Sequence, residues 1–535
     1  MDSLHVRRGV QDYHGQPSSP VATMLVGSTF VTLLGIVILV IIVLLFMVFL
    51  WLSVTILLLE YRYRDIPGPK RTSFFSGNMD KFAILRENPD LSVSMVFYEL
   101  TKEFGPVLWM RILWRPFILA NKPEIVKDLL LNSRHTKPIE IYRSFQGMFG
   151  ARFLGHGLVS EVDHEKWFHR RAIINPAFRR KYLIGMMEQF NEGAEALCES
   201  IVGRADGKTP IAMLDEFNNA TLDVIAKIAF GMNTHATTDP SCPFPAAIAA
   251  VFKGLRATFE NPAIEWDISS KSRKFRQEVR EAIRLVRTTG RKCVEERISA
   301  RQRGDHVPHD ILEMILECSN DLKGSSDFQM ENMIDEFMTL FIAGQETTTN
   351  LLAFTLQQLG RHPDVAERLQ TEVDEVLGHK PTIEYDDLAK LEFMMRVLKE
   401  TLRLFPPVPG TSRKLAHPIR CNGFTLPAGA PVSIMTAVMS RMEEYFDEPL
   451  VFNPDRFKTT DEMQMRRHFY AYFPFSLGQR SCIGQQFALI EARVFLAKLL
   501  QRFAFRPDQS LLSSTEDEVT NKPKDGCKNY VTLRT

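Results

Sequence analysis

Cysteine is scarce and never clustered. Its seven copies, Cys198, Cys242, Cys293, Cys318, Cys421, Cys482 and Cys527, stand singly, which excludes a zinc ribbon or a disulfide framework and fits a reducing compartment. Excess charge of either sign is also missing. Lys plus Arg total 65 against 64 Asp plus Glu, so nothing in the balance points to nucleic acid as a partner. There is no dinucleotide fingerprint of the G-x-G-x-x-G type, and a reaction run on nicotinamide electrons must import them. Internal repeats and low-complexity tracts are absent. What remains is the composition of an ordinary globular enzyme, 45% hydrophobic and 24% charged over 535 residues.

One hydrophobic run departs from that average. Residues 21–59 carry no charge, about twice the roughly 20 residues that a membrane span requires. A secretory signal has an apolar region of only about 7 to 15 residues, and a helix apolar on every face is poorly housed in a soluble core. The run reads as one transmembrane anchor with excess length, since only Gly27, Gly35 and Ser53 soften it. Arg7 and Arg8 precede it, while Arg62, Arg64, Lys70 and Arg71 follow closely, which places the bulk of the chain in the cytosol. Ile66-Pro67-Gly68-Pro69 then forms a stiff elbow. The organisation expected is a tail over 1–20, an anchor over 21–59, a basic, proline-rich hinge over 60–72 and one catalytic domain over 73–535.

Beyond the hinge the pattern predicts a mainly α fold with a minor β-sheet region. Apolar residues recur at helical spacing over 194–201, 277–298 and 365–377. Strand patterns are short, at 107–112, 117–119 and 424–426, too few for a sandwich or barrel. Loops are expected at 233–245, 301–309 and 320–327.

The chemistry concentrates in Phe475-Ser476-Leu477-Gly478-Gln479-Arg480-Ser481-Cys482-Ile483-Gly484, a loop opening onto a helical run over 485–500. Near a helix N-terminus the dipole and free amide donors favour a thiolate, the form in which sulfur binds iron. Gly478 and Gly484 let the backbone turn tightly and approach a flat macrocycle. Phe475 shields the sulfur side from water. An ordinary buried thiol is the plainer alternative, but the five fixed positions arise by chance in about one chain in ten thousand at average residue usage. This is the haem-binding signature of the cytochrome P-450 family, which the chain resembles from about residue 66 to 505.

That resemblance implies a cytochrome P-450 fold behind an N-terminal transmembrane helix, with haem b held by Cys482 as axial ligand to iron and Arg480 on a haem propionate. It also implies a single-pass protein of the endoplasmic reticulum membrane, reduced by NADPH through NADPH-cytochrome P-450 reductase. A second motif, Ala343-Gly344-Gln345-Glu346-Thr347-Thr348, lies in an apolar helix expected over 330–359. Thr339, Ala343 and Thr347 recur four residues apart and leave room for a ligand along one stripe. Dioxygen activation consumes protons, and Thr347 beside Glu346 offers a donor and its resupply. Standing alone, the pair reads as a threonine bonded to its own helix and a solvated glutamate.

Glu400 and Arg403 share a helix face three residues apart. By resemblance they join Arg456 in a buried structural triad of fork-shaped hydrogen bonds. Trp167 and Arg171, four apart, match the family's propionate-binding helix, and Arg413 is a further propionate candidate. Lys166, Arg170, Arg179, Arg180 and Lys181 make that region basic, suited to an acidic electron donor. Within the family, Gly157-Leu158-Val159-Ser160-Glu161, Tyr472-Phe473-Pro474-Phe475 and Cys482-Ile483-Gly484-Gln485-Gln486-Phe487-Ala488 resemble the cholesterol 24-hydroxylases. Val408-Pro409 departs from that pattern. By family position Phe145, Phe149, Ile342, Ala343 and Pro409 line an apolar pocket for a sterol or similar lipid. The activity implied is hydroxylation of a small lipophilic substrate. Isomerisation or dehydration of a lipid hydroperoxide and non-catalytic haem sensing are the rival readings.

Overall fold

The computed structural model describes residues 20–88, 91–319, 326–421, 423–458, 469–508, 515–517 and 519–534. It divides into two compact units, Met1–Arg64 and Asp65–Thr535. The described part of the first is one helix, Pro20–Tyr63, of 44 residues. Its stretch Thr32–Tyr63, 32 residues long, is apolar enough to cross a membrane. At 1.5 Å per residue this stretch is about 48 Å long, more than the roughly 30 Å of a hydrocarbon core. The tail expected over 1–20 lies outside the described residues except for Pro20, which opens the helix. The helix runs past the 21–59 stretch expected for the anchor. Glu60, Tyr61, Arg62 and Tyr63 remain helical because none of them breaks a helix, and the first proline arrives only at Pro67.

In the second unit helices dominate. Met187–Val202, Ser270–Arg303, Pro363–Leu377 and Gln485–Arg502 contain and extend the segments expected from apolar periodicity. The longest, Ser326–Arg361, takes in the last two residues of the loop expected over 320–327; residues 320–325 lie outside the described part. This helix runs through the core, burying Phe337, Phe341, Leu352 and Thr349. It presses closely on the helix Met213–Phe230. A Cβ on Gly344 would stand 2.9 Å from Ile225 Cγ1, so glycine is what admits the crossing. Just beyond that point Thr221 and Thr349 join hydroxyls at 2.8 Å.

A four-stranded mixed sheet flanks the helices in the order Val107–Ile112, Arg115–Ala120, Pro431–Ile434, Thr411–Lys414. The first pair is antiparallel, the second parallel with Ile118 beside Val432, and the third antiparallel with Arg413 beside Val432. Register therefore fixes where Arg413 stands. A three-stranded antiparallel sheet joins Phe503–Pro507, Lys528–Leu533 and Asp206–Ala212. The strand Phe424–Leu426 pairs with Ile419–Cys421.

Candidate active site

The loop before the helix Gln485–Arg502 folds back on itself. The Cys482 amide donates to the Phe475 carbonyl at 2.8 Å, Ser476 to Phe473 at 2.8 Å and Ser481 to Gly478 at 3.1 Å. Gly478 has φ +73°, and a Cβ there would lie 2.0 Å from the Leu130 carbonyl oxygen. No L side chain fits. Gly484, the N-cap of the helix, donates its amide to the Cys482 sulfur. The balance at that sulfur differs from the sequence expectation: desolvation pushes the thiol up and outweighs both the Gly484 amide and the Arg171 cation, which lower it. A cationic metal at the sulfur would tip this balance to the anion. Cys482 nevertheless keeps exposed surface.

Cations crowd the same region. The helix His164–Ile174 starts because Asp163 caps it, accepting from the amides of Glu165 and Lys166. It buries Trp167. The Arg480 guanidinium lies over the Trp167 ring, 4.3 Å from its centroid, and donates to the Glu161 carbonyl at 2.6 Å. Arg171 donates to the Ser481 carbonyl at 2.8 Å, tying this helix to the cysteine loop. Arg413 is buried and bonds only Thr411 Oγ1 and the Ser412 carbonyl among the described residues. Desolvation, with Arg413 alongside, pulls Arg480 down to about 10. Lys137 is held well below its ordinary value by desolvation, Arg413 and Arg480, and its ammonium donates to the Val159 carbonyl.

No carboxylate side chain pairs with Lys137, Arg413 or Arg480 among the described residues. Arg413 is buried, Lys137 and Arg480 are half-buried, and only Arg480 feels nearby carboxylates, those of Glu161 and Asp163, so two propionate carboxylates suit this cluster. The donor set therefore fits haem: one sulfur receiving an amide bond, and cations for its acidic edge. Lys137 escaped the sequence reading because it sits in a loop before Pro138, without motif or periodicity to mark it.

On the helix Ser326–Arg361, Thr347 is half-buried and donates to the Ala343 carbonyl at 2.9 Å. Glu346 is buried, not solvated, and accepts from Asn350 at 3.2 Å and from Thr520 at 3.0 Å. Thr520 comes from the C-terminal strands, which the sequence pattern did not connect to this helix. Ala343 is half-buried, as are Phe145 and Pro409, whereas Phe149 and Ile342 are buried. Phe149 holds φ +52° and its ring centroid lies 6.1 Å from that of Phe275.

Glu400 and Arg403 have no exposed surface. Arg403 grips both Glu400 oxygens at 2.7 and 2.8 Å and donates to the carbonyls of Ser440, Pro449 and Val451 at 2.6, 2.6 and 3.1 Å. Arg456 adds a bond to Glu400 at 2.9 Å, and the Asn453 amide another at 2.8 Å. In the basic region, Lys166, Arg179, Arg180 and Lys181 are exposed. Arg170 is turned inward to Asn332 and Glu336, so it leaves the surface the sequence had assigned to it.

Asp128, His135 and His417 also converge, yet they do not suit an ion. The His135 Nδ1 accepts the Ala416 amide at 3.1 Å, which puts the neutral ring's proton on Nε2 and removes the lone pair a metal would need.

Fold and site together define a haem-thiolate protein. The cytochrome P450 family model matches residues 67–527. Cytochrome P-450 4d2 of Drosophila melanogaster is 31% identical over 478 residues, covering 85% of this chain and 92% of that protein. Cytochrome P-450 4X1 of Homo sapiens is 30% identical, covering 77% and 81%. A crystal structure of the haem domain of cytochrome P-450DA superposes with TM-score 0.75 at 25% identity, over 88% of this chain and 97% of that one. The chain belongs to the cytochrome P-450 family and is a haem monooxygenase. The narrower likeness to cholesterol 24-hydroxylase finds no support in these relatives.

Proposed function

We propose that the enzyme hydroxylates an apolar small molecule, a sterol or related lipid, with dioxygen and with electrons that NADPH supplies through a separate reductase. It acts from the endoplasmic reticulum membrane, on one span, with the catalytic unit in the cytosol. The observation that carries the reading is the exposed residue Cys482, its thiol desolvated, beside the cations Lys137, Arg413 and Arg480, which form no ion pair with a carboxylate among the described residues.

Cys482 would hold haem iron, while Lys137, Arg413 and Arg480 would hold the propionates, with Trp167 and Arg171 bracing the loop. Haem b, when bound, supplies one-electron chemistry and dioxygen activation. The chain's own contribution is placement and protons. Phe475, packed against the core, keeps water from the sulfur, and Gly484 stabilises its anionic form with an amide. The Thr347 hydroxyl, parked on the Ala343 carbonyl, rotates away to donate its proton, and Glu346, oriented by Asn350 and Thr520, resupplies it. Phe145, Ala343 and Pro409 present apolar surface to the substrate, and Lys166, Arg179, Arg180 and Lys181 offer the reductase a basic face.

The test is turnover of a sterol panel by the full chain. Hydroxylated product that forms only when NADPH, reductase and dioxygen are all present is the result expected. Product from a lipid hydroperoxide alone, without NADPH, would replace the monooxygenase reading for this substrate class with an isomerase.

A further inference from the structure

Where the helices Ser270–Arg303 and Ser326–Arg361 meet the hairpin formed by Gly147–Met148 and Ala151–Arg152, a pocket of about 310 Å³ opens that the chemistry above does not use. Arg152, Arg280, Arg284, Arg287 and Arg291 line it, with Glu331 as its one acidic lining residue. The four arginines of the helix Ser270–Arg303 follow i, i+4, i+7 and i+11 spacing and so share one stripe. Like charges at that spacing destabilise a helix.

Part of the charge is met from below. Asp335, fully buried, accepts from Arg152 at 3.0 Å and from Arg287 at 2.9 Å. Glu331 pairs with Arg287 and Arg291. Arg287 is further fixed by the Phe153 carbonyl at 3.0 Å. Both carboxylates are thereby shared among cations already. Arg280 and Arg284, both exposed, have no acidic partner among the described residues. Five guanidinium groups over these two carboxylates leave a surplus of three positive charges at one concavity.

The choice of residue is informative. All five cations are arginine, whose planar fork matches phosphate oxygens in pairs, and none is lysine. Three of them, Arg152, Arg287 and Arg291, are already anchored, so less side-chain freedom is lost when an anion arrives. The volume exceeds what one small ion needs and lies at the lower end of small-molecule sites, roughly 300 to 1,000 Å³. At the rim Gly150 leaves open space, since a Cβ there would meet nothing within 4 Å.

We propose that this arginine pocket binds a phosphate-bearing anion, with Arg280 and Arg284 as the groups that close on it. The same chemistry could reach it on a phospholipid headgroup or on a soluble phosphate ester, and two probes separate the sources. The full chain, purified with haem in neutral detergent, is titrated calorimetrically with inorganic pyrophosphate and, separately, with monomeric dihexanoyl phosphatidate; dihexanoyl phosphatidylcholine is the zwitterionic control. Saturable binding of at least one phosphate probe, weakened tenfold or more by Arg280→Gln with Arg284→Gln, is the expected result. Preference for phosphatidate identifies a lipid headgroup, and preference for pyrophosphate a soluble ligand. The paired variant should keep the haem spectrum of the parent, because neither arginine touches the cysteine loop or its cations. No saturation by either probe, or binding that the paired variant leaves unchanged, overturns the assignment.

Discussion

Replacing Arg403 by lysine keeps the charge and removes the fork. The guanidinium makes five hydrogen bonds, two to Glu400 and one each to the carbonyls of Ser440, Pro449 and Val451. An ammonium has three donors on one nitrogen, so at least two of these five bonds are lost in a site with no exposed surface. Hydrogen bonds to charged groups contribute about 1.5 to 3 kcal/mol each, and the loss comes to roughly 3 to 6 kcal/mol. That is a large part of the ~5 to 15 kcal/mol that holds a domain together. Arg456→Lys should cost distinctly less, because its side chain is 10% exposed and water replaces the lost donors. The assay is thermal unfolding of the haem-loaded protein, followed by the fraction of haem retained after gel filtration. Arg403→Lys should unfold at lower temperature and shed haem, with Arg456→Lys between it and the parent. An Arg403→Lys protein with the parent's midpoint and haem content would refute the reasoning, as would the reverse order of the two variants.

Two further outcomes follow from the site. Thr347→Ala should leave haem binding intact while lowering product formed per NADPH consumed, and Thr347→Ser should restore part of the ratio; unchanged coupling in the alanine variant would remove Thr347 from proton delivery. Glu336 is raised to about 7, because burial outweighs Arg170 and the Leu158 amide. The native chain thus keeps a proton that the unfolded chain releases near 4.5, so the stability this group contributes is full below pH 4.5, declines as pH rises and is gone above about 7. The decline is on the order of 3 kcal/mol. Glu336→Gln should flatten that slope in unfolding measurements between pH 5 and 8, and an unaltered slope would contradict it.

The parts of this protein legible in its sequence are those that local chemistry dictates. Apolar periodicity located the long helices, because a buried stripe repeats whatever lies opposite. The cysteine loop was readable because Gly478 and the residues around Cys482 meet needs that few other side chains meet. Strands such as Asp206–Ala212 and Thr411–Lys414 were not: the first is mostly exposed, the second is a short polar segment without alternating burial, and both take their places from pairing with other strands. Long-range neighbours explain the remaining surprises. Thr520 reaches Glu346 from the far end of the sequence, Arg170 finds Glu336 rather than solvent, and Lys137 becomes notable only once Arg413 and Arg480 stand beside it. The direction of the shift at Cys482 was missed for a related reason: helix position is local, whereas burial is a property of the assembled fold.

The short stretch 130–137 reaches both the cysteine loop and the cation cluster. Its first carbonyl, on Leu130, stops any side chain at Gly478; further along, the Thr136 carbonyl receives the Lys414 amide at 2.7 Å next to Arg413, and Lys137 ends it. The positions of the cysteine loop and of the cations are thereby geared to one strap of backbone. A substitution that shifts this strap therefore moves both at once.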